Sequence, residues 1–157
     1  IPKYVLEDLN TAINKKPDVI LIDRSLLDRM IWVERLYNKE GISKENYDNY
    51  IKEYIPIIRN KINIIIGTYT DSLTALKRDY KANLSLEKRS FLSKKNVDEY
   101  NSALVNVNKI SKNNNINFNM YDTTTKSERE VSFEIIDAIL SDMRRVYIEE
   151  LDKIFTF

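Results

Sequence analysis

The amino-acid sequence predicts an α/β fold in which helices flank a parallel sheet. Two short aliphatic runs, 18–23 and 63–67, are bounded by polar or turn-forming residues, as is typical of strands buried on both faces of a parallel sheet. A third run, 116–122, alternates apolar and polar residues and predicts a strand nearer the sheet edge. Helical patterns separate these runs, and strands separated by helices indicate parallel pairing. We assign the whole chain, 1–157, to a single domain.

The predicted helices follow from apolar residues that recur three and four positions apart. They lie at about 3–15, from Ser25 to near Gly41, at about 43–59 and 72–80, from Asn96 to Asn113, and from Ser127 to about Leu151. Pro56 is expected to kink or shorten the third helix, because proline lacks the backbone N–H that a helix interior uses. Ser127 and Glu130 form a capping box, which is the clearest helix start in the chain.

Composition excludes several classes of chemistry. The chain has no Cys and no His, which removes thiol nucleophiles, disulfides, imidazole bases and the usual zinc ligands. Its 25 Lys and Arg residues balance 24 Asp and Glu residues, and a net charge of +1 gives no bulk attraction to nucleic acid or membranes. No apolar run approaches the roughly 20 residues of a membrane-spanning helix, and the first residues lack a signal-peptide pattern. We therefore expect a cytoplasmic protein.

The first aliphatic run ends on a candidate ligand-binding residue, Asp23. In an open parallel sheet, ligands gather at the carboxyl ends of the strands, so a carboxylate at this position can hold Mg²⁺ directly or through water. Arg24 beside it offers a planar set of donors for a phosphate or a ribose hydroxyl. The alternative is that Asp23 only caps the following helix or pairs with a neighbouring cation. The ends of the other two runs, 68–71 and 122–125, are equivalent places to expect ligand contacts.

Three segments follow one another in the order and spacing of a known enzyme family. They are residues 19–25 (VILIDRS), 64–78 (IIIGTYTDSLTALKR) and 119–124 (NMYDTT). Together they resemble the Asp-Arg or Glu-Arg segment, the next strand with its lid-bearing helix, and the final strand of the thymidylate kinases and deoxynucleoside kinases, which are P-loop proteins. The resemblance covers residues 17–141 and depends on several short segments rather than on one diagnostic motif.

The resemblance implies an ATP- and Mg²⁺-dependent phosphotransferase with four catalytic residues. Asp23 would bind magnesium, Arg24 would bind the acceptor, and Arg78 and Arg89 would contact phosphates from a mobile lid over about 78–95. Phosphoryl transfer suits such a set, because its catalysis consists largely of positioning and charge neutralisation. The alternative for the lid is a solvated charged helix face, with Glu87 paired to its neighbours.

The resemblance also implies a cofactor site and a partner. Asp122, Thr123 and Thr124 would lie in the loop near the adenine of ATP. The expected partner is a small nucleoside or nucleotide acceptor, whose identity the sequence does not specify. The sequence leaves open a homodimer.

The chain departs from the family in one respect that affects its fold. No segment matches the phosphate-binding loop Gly-x-x-x-x-Gly-Lys-Ser/Thr, and neither Gly41 nor Gly67 has a partner at that spacing. In the family this loop follows the first strand, which lies in the middle of the sheet. We therefore expect an incomplete P-loop-kinase-like sheet, whose first strand and phosphate loop lie outside this chain. The isolated chain is then expected to be inactive.

Two alternatives to a kinase remain open at this point. The first is a P-loop ATPase-like regulatory or binding module, which would lack an acceptor pocket at Arg24. The second is a helical interaction domain without a nucleotide site, in which the Tyr-rich segment 47–54 and the final helix would form a partner interface. This second alternative would require the runs 19–22 and 63–66 to be helical or unpaired.

Overall fold

A computed structural model of the protein describes residues 3–17, 19–23, 26–82 and 93–155. In these ranges the elements are α1 Lys3–Asn14, α2 Leu26–Asn38, α3 Lys44–Lys61, β1 Ile65–Tyr69, α4 Ser72–Ala82, α5 Lys94–Asn113, β2 Phe118–Asp122 and α6 Glu128–Phe155. The described chain is thus mostly helical and contains a small sheet. None of the described helices is both long and apolar enough to cross a membrane.

The sheet consists of β1 and β2, which pair in parallel. Their register places Ile65 opposite Phe118 and Tyr69 opposite Asp122. This confirms the predicted parallel pairing of the second and third runs, although both strands begin two residues later than predicted. Because the pair is parallel, the loops that follow Tyr69 and Asp122 leave the same edge of the sheet.

The first predicted strand, 19–23, is wrong. Residues 19–22 adopt no regular structure, and Val19, Leu21 and Ile22 are 49%, 84% and 44% exposed. A buried strand needs a neighbour to satisfy its backbone N–H and C=O groups. The sheet in the described ranges contains only β1 and β2, so no described strand pairs with this run. The aliphatic run is therefore largely exposed, and the expected three-stranded sheet is not formed.

The core lies between α2, α3, α5 and the sheet. Its most completely buried side chains are those of Met30, Tyr54, Ile58, Ala103 and Val107, at 0% exposure. They come from apolar positions spaced three and four apart, so each of these helices turns one face toward a shared interior. Full burial of one large aliphatic side chain contributes about 1.5–3 kcal/mol, which makes this interface the main source of stability.

Gly67 permits close packing inside the sheet. A Cβ atom at this position would lie 2.6 Å from the Phe118 ring, which is closer than side-chain contacts allow. Phe118 is 4% exposed and belongs to the core, so its ring cannot simply move into solvent. Glycine is therefore required here by the approach of an aromatic ring to the strand backbone.

A buried polar cluster connects the three core helices. Glu34, which is 5% exposed, accepts hydrogen bonds from the Tyr47 hydroxyl, from Asn38 Nδ2 at 3.3 Å and from Asn106 Nδ2 at 3.1 Å. The Tyr47 ring stacks on Tyr37 with centroids 4.5 Å apart. The carboxylate is thus satisfied by donors from α2, α3 and α5, as a buried charge requires.

Several predicted boundaries are corrected by the structure. The helix α3 continues past Pro56 to Lys61 and is not shortened. The helix α5 begins at Lys94, two residues before the predicted start, because the Ser93 hydroxyl accepts the N–H of Asn96 at 3.2 Å. Of the predicted lid over 78–95, residues 78–82 belong to α4 and residues 94–95 to the start of α5. Residues 83–92 of the lid lie outside the described residues.

The capping box of α6 is confirmed. Ser127 Oγ accepts the N–H of Glu130 at 3.3 Å, and the Glu130 carboxylate accepts the N–H of Ser127 at 2.8 Å. These two bonds satisfy donors that the first helical turn leaves free. The helix extends beyond the predicted Leu151 to Phe155.

Candidate functional site

The loops after β1 and β2 meet at the carboxyl edge of the sheet. The N–H of Asp71 donates to Thr124 Oγ1 at 3.0 Å, and the hydroxyls of Thr70 and Thr124 lie 3.5 Å apart. The N–H and hydroxyl of Thr123 both donate to the carbonyl of Tyr69, at 2.8 and 3.0 Å. The two loops are therefore joined by direct hydrogen bonds, and three hydroxyl groups collect at one edge.

Two carboxylates also lie at this edge. Asp71 caps α4 by accepting the N–H groups of Leu73 at 2.9 Å and Thr74 at 3.0 Å. Asp122 accepts the N–H of Thr124 at 2.8 Å. Hydrogen bonds from Thr74 lower the pKa of Asp71, and those from Thr124 lower the pKa of Asp122. The negative charge of Asp71 opposes the lowering of the Asp122 pKa.

Arg78 brings a cation to the same edge. From α4, its Nη1 donates to Thr123 Oγ1 at 3.2 Å and its Nη2 donates to the Thr123 carbonyl at 2.6 Å. The side chain is exposed, so both donors can exchange with water or with an incoming anion. Two of the residues predicted for the phosphate and cofactor sites thus contact each other directly.

A small cavity of about 220 Å³ opens beside these loops. It is lined by Thr68, Tyr69, Thr70, Val97, Tyr100, Asn101 and Thr123. On the polar side of the cavity, Asn101 donates a hydrogen bond to the Thr70 carbonyl at 2.8 Å. The Tyr100 hydroxyl donates to Asp28 at 3.3 Å. Pockets for drug-sized ligands start near roughly 300 Å³. The cavity can therefore hold one part of a nucleotide, such as a base or a ribose, but not all of it.

The structure does not unite all the predicted site residues. Asp23 is exposed and ends the irregular segment three residues before α2. Among the described residues, no hydrogen bond joins it to Arg78 or to the loop after β2. Arg24 and Arg89 lie outside the described residues. The Tyr100–Asp28 contact nevertheless brings the first turn of α2 to the wall of the cavity, five residues after Asp23.

Magnesium can be tested against the available donors. Within the described ranges, no three acidic side chains converge as a protein-only metal site would require. In nucleotide-dependent enzymes, however, Mg²⁺ is held by one or two carboxylates, by phosphate oxygens and by water. Asp23 is exposed and free to contribute one such oxygen, whereas Asp71 and Asp122 already cap backbone N–H groups. The residues fit a magnesium ion that arrives with a nucleotide.

A second cavity, of about 580 Å³, lies at the opposite edge of the sheet. Arg59, Lys61 and Arg145 line it together with asparagines, which suggests an anion site. Two observations argue against that function. Arg145 is paired with Asp142 at 2.8 Å and Glu149 at 2.6 Å, and α3 and α5 both end here with the negative ends of their helix dipoles. The cations therefore balance local negative charge.

Asn101 and Tyr100 were not predicted as site residues. Both lie in the long helix α5, where the three- and four-residue spacing of the apolar residues places Tyr100 on the apolar face. A polar Asn next to that face was the available signal, but its Thr70 partner is 31 positions away in sequence. Comparisons with protein-family models, with curated proteins and with solved structures found no match for the chain.

Proposed function

We propose that this chain forms part of a Mg²⁺- and ATP-dependent phosphotransferase of the nucleoside or nucleotide kinase type. The phosphate loop of the enzyme would be supplied by sequence outside these 157 residues. The observation that carries the proposal is the carboxyl edge of β1 and β2, where Arg78, hydroxyl groups and a small cavity occur together. Nucleotide sites of open α/β folds are built at this edge of a parallel sheet.

Arg78 has the position and the chemistry for a phosphate contact. Its guanidinium is exposed and is held by Thr123, so a phosphate can take over its donors without leaving a buried charge unpaired. The bidentate geometry already used on Thr123 matches two phosphate oxygens equally well. In phosphoryl transfer, such a cation neutralises charge on the transferred group.

The exposed run 19–22 supports the same assignment. An aliphatic segment that ends in Asp23 has the composition of a buried parallel strand, yet its side chains face solvent. A strand inserted between this run and the free edge of β1 would cover both. This is the place that the first strand and phosphate loop occupy in the resembling kinases. Asp23 would then lie at the carboxyl edge, where it would hold the magnesium of the bound nucleotide.

Arg78 and Asp23 would position and neutralise charged groups during phosphoryl transfer. The acceptor hydroxyl or phosphate oxygen forms a bond to the γ-phosphorus of ATP as the bond to the bridging oxygen breaks and ADP leaves. Arg78 would neutralise the phosphate oxygens during this step, and Asp23 would fix the magnesium that accompanies them. The 220 Å³ cavity between Tyr69 and Tyr100 would bind a base or a sugar.

A helical interaction domain is the second candidate, and it would require the runs 19–22 and 63–66 to be helical or unpaired. The run 19–22 is unpaired, but Ile65 and Ile66 of the second run belong to the paired strand β1, so this requirement is met only in part. One assay of the protein that carries this chain together with the proposed phosphate loop separates a kinase from an ATPase-like module and from a domain without a nucleotide site. A kinase will transfer phosphate from ATP to a nucleoside or nucleoside monophosphate, and an ATPase-like module will release phosphate without a phosphorylated acceptor. Absence of any Mg²⁺-dependent ATP binding would overturn the proposed function.

A further inference from the structure

The helix α6 carries a continuous apolar seam on its exposed side. It consists of Phe133, Ile136, Leu140, Met143, Tyr147 and Ile154, which are 45–65% exposed. Their spacing alternates between three and four residues from 133 to 147 and then continues with one full heptad. This is the a and d pattern of a helix that packs along a second helix.

The seam faces away from the rest of the protein. Val131 and Asp142, which are 7% and 6% exposed, mark the inner side of α6, and Asp142 accepts a hydrogen bond from Asn117 at 2.9 Å. With about 100° of rotation per residue, Leu140 lies on nearly the opposite side of the helix from Asp142. Within the described part of the chain, the contacts of α6 therefore leave the seam uncovered.

We propose that a second copy of this chain covers the seam, with the two α6 helices packed antiparallel. The centre of the contact would bring Leu140 of each chain against Met143 of the other, and Ile136 against Tyr147. The overlap would run from residue 129 to residue 154, which is within the length of α6. This inference is independent of the nucleotide site.

Charge distribution selects this orientation over a parallel one. With Phe133 at position a and Ile136 at position d of the heptad, Asp137 and Arg144 both occupy e positions beside the seam. Both side chains are exposed. In an antiparallel pair the e positions of the two helices meet, so Asp137 faces Arg144 of the other copy twice by symmetry. In a parallel pair, the Glu150 residues of the two chains would face each other at a d position. Neither Asp137 nor Arg144 would then meet an opposite charge.

The ends of the seam agree with the same register. Glu150 occupies the d position opposite Phe133 of the other copy, and the Arg129 guanidinium lies 5.5 Å from the centre of that Phe133 ring. Arg129 is thus within side-chain reach of the partner's Glu150. Glu150 also pairs with Lys153 of its own helix at 2.6 Å, and the apolar residues fill the middle of the seam.

Sedimentation equilibrium of the 157-residue chain tests the proposal. The expected result is a reversible monomer–dimer equilibrium, and Leu140→Glu should raise its Kd at least about tenfold. Leu36→Glu is the matched control, since Leu36 is a 46% exposed leucine on α2 outside the seam. Circular dichroism verifies that each variant remains helical. A chain that stays monomeric at high concentration, or equal loss of dimer in both variants, overturns the proposal, and a monomer implies that another partner covers the seam.

Orientation is tested by two further measurements. Asp137→Arg and Arg144→Asp should each weaken the dimer, and the Asp137→Arg/Arg144→Asp double variant should restore it, because the reversed charges meet again. The chain has no cysteine, so an Ile136→Cys chain mixed with a Tyr147→Cys chain should form a mixed disulfide in preference to either self-linked dimer. Preferential self-linking of Ile136→Cys would show a parallel pair and overturn the antiparallel arrangement.

Discussion

Arg78 holds Thr123 by both ends of its guanidinium, with one bond to the hydroxyl at 3.2 Å and one to the carbonyl at 2.6 Å. This contact joins α4 to the loop after β2 across 45 positions of sequence. It also keeps the Arg78 guanidinium near the cavity, with its N–H donors exposed. Under the proposed function, the same side chain would stabilise the loop when the site is empty and bind phosphate when it is filled.

Substitution of Arg78 separates these two roles. In the protein that carries this chain together with the proposed phosphate loop, Arg78→Ala should reduce kcat/KM for phosphoryl transfer about 10- to 100-fold. The free energy of unfolding should change by less than about 1 kcal/mol, because exposed polar contacts stabilise little. Arg78→Lys keeps the charge but not the planar pair of donors, so it should recover only part of the activity. Arg59→Ala, at the opposite edge of the sheet, is the control. A purely structural arginine would lower stability and leave kcat/KM unchanged.

Gly67→Ala should destabilise the protein. The added methyl group would meet the Phe118 ring at 2.6 Å, and overpacking of this kind costs about 1–3 kcal/mol. The measurement is urea unfolding at neutral pH. Phe118→Leu removes the ring that the methyl group strikes, so the double variant Gly67→Ala/Phe118→Leu should be more stable than the sum of the two single changes predicts. Strictly additive effects would show that the ring and the glycine are not in contact.

Elements with strong local signals were predictable from sequence. The Ser127–Glu130 capping box fixes the start of α6 by bonds between residues three apart, and these bonds need no tertiary contact. The parallel pairing of β1 and β2 followed from the helices between the strands, since parallel strands need a crossover connection of about a dozen residues or more, which is usually a helix. Placement of Thr70 and Thr123 at one edge then followed from the topology.

Elements that depend on a distant partner were not predictable. The run 19–22 has the composition of a buried strand, but composition cannot show whether a neighbouring strand is present to pair with it. The Asn101–Thr70 bond at 2.8 Å depends on how α5 lies against β1, which periodicity does not report. Pro56 was expected to kink or shorten α3, but it lies on the exposed side, where water can satisfy the carbonyl that proline leaves free.

The polar cluster around Glu34 should contribute measurably to stability. Tyr47→Phe removes one of three donors to a carboxylate that is 5% exposed, and loss of a partner to a buried charged group costs about 1–3 kcal/mol. Tyr37→Phe is the matched control, because it keeps the stacked pair and removes a hydroxyl outside the Glu34 contacts. The two variants are compared by urea unfolding. Equal effects of the two substitutions would show that the Tyr47–Glu34 hydrogen bond contributes no more to stability than the Tyr37 hydroxyl does.

The carboxylates at the sheet edge predict a loss of stability in acid. The pKa of Asp71 and that of Asp122 are both lower in the folded protein than their ordinary value of 3.8, because Thr74 and Thr124 donate hydrogen bonds to them. A carboxyl whose pKa falls on folding stabilises the protein above its unfolded pKa, and this stabilisation disappears as pH falls through the lower, folded value. The Tm should therefore decrease below about pH 4.

Asp71→Asn tests both the loss of stability in acid and the interaction between the Asp71 and Asp122 carboxylates. The amide keeps an oxygen to cap α4 but carries no charge, so the Tm of this variant should depend less on pH in the acid range. The like charge of Asp71 opposes ionisation of Asp122, and its removal should lower the pKa of Asp122 further. Carboxyl resonances followed by NMR titration report this second effect directly. An unchanged Asp122 titration would show that the two carboxylates lie too far apart to interact, and the electrostatic description of the sheet edge would then fail.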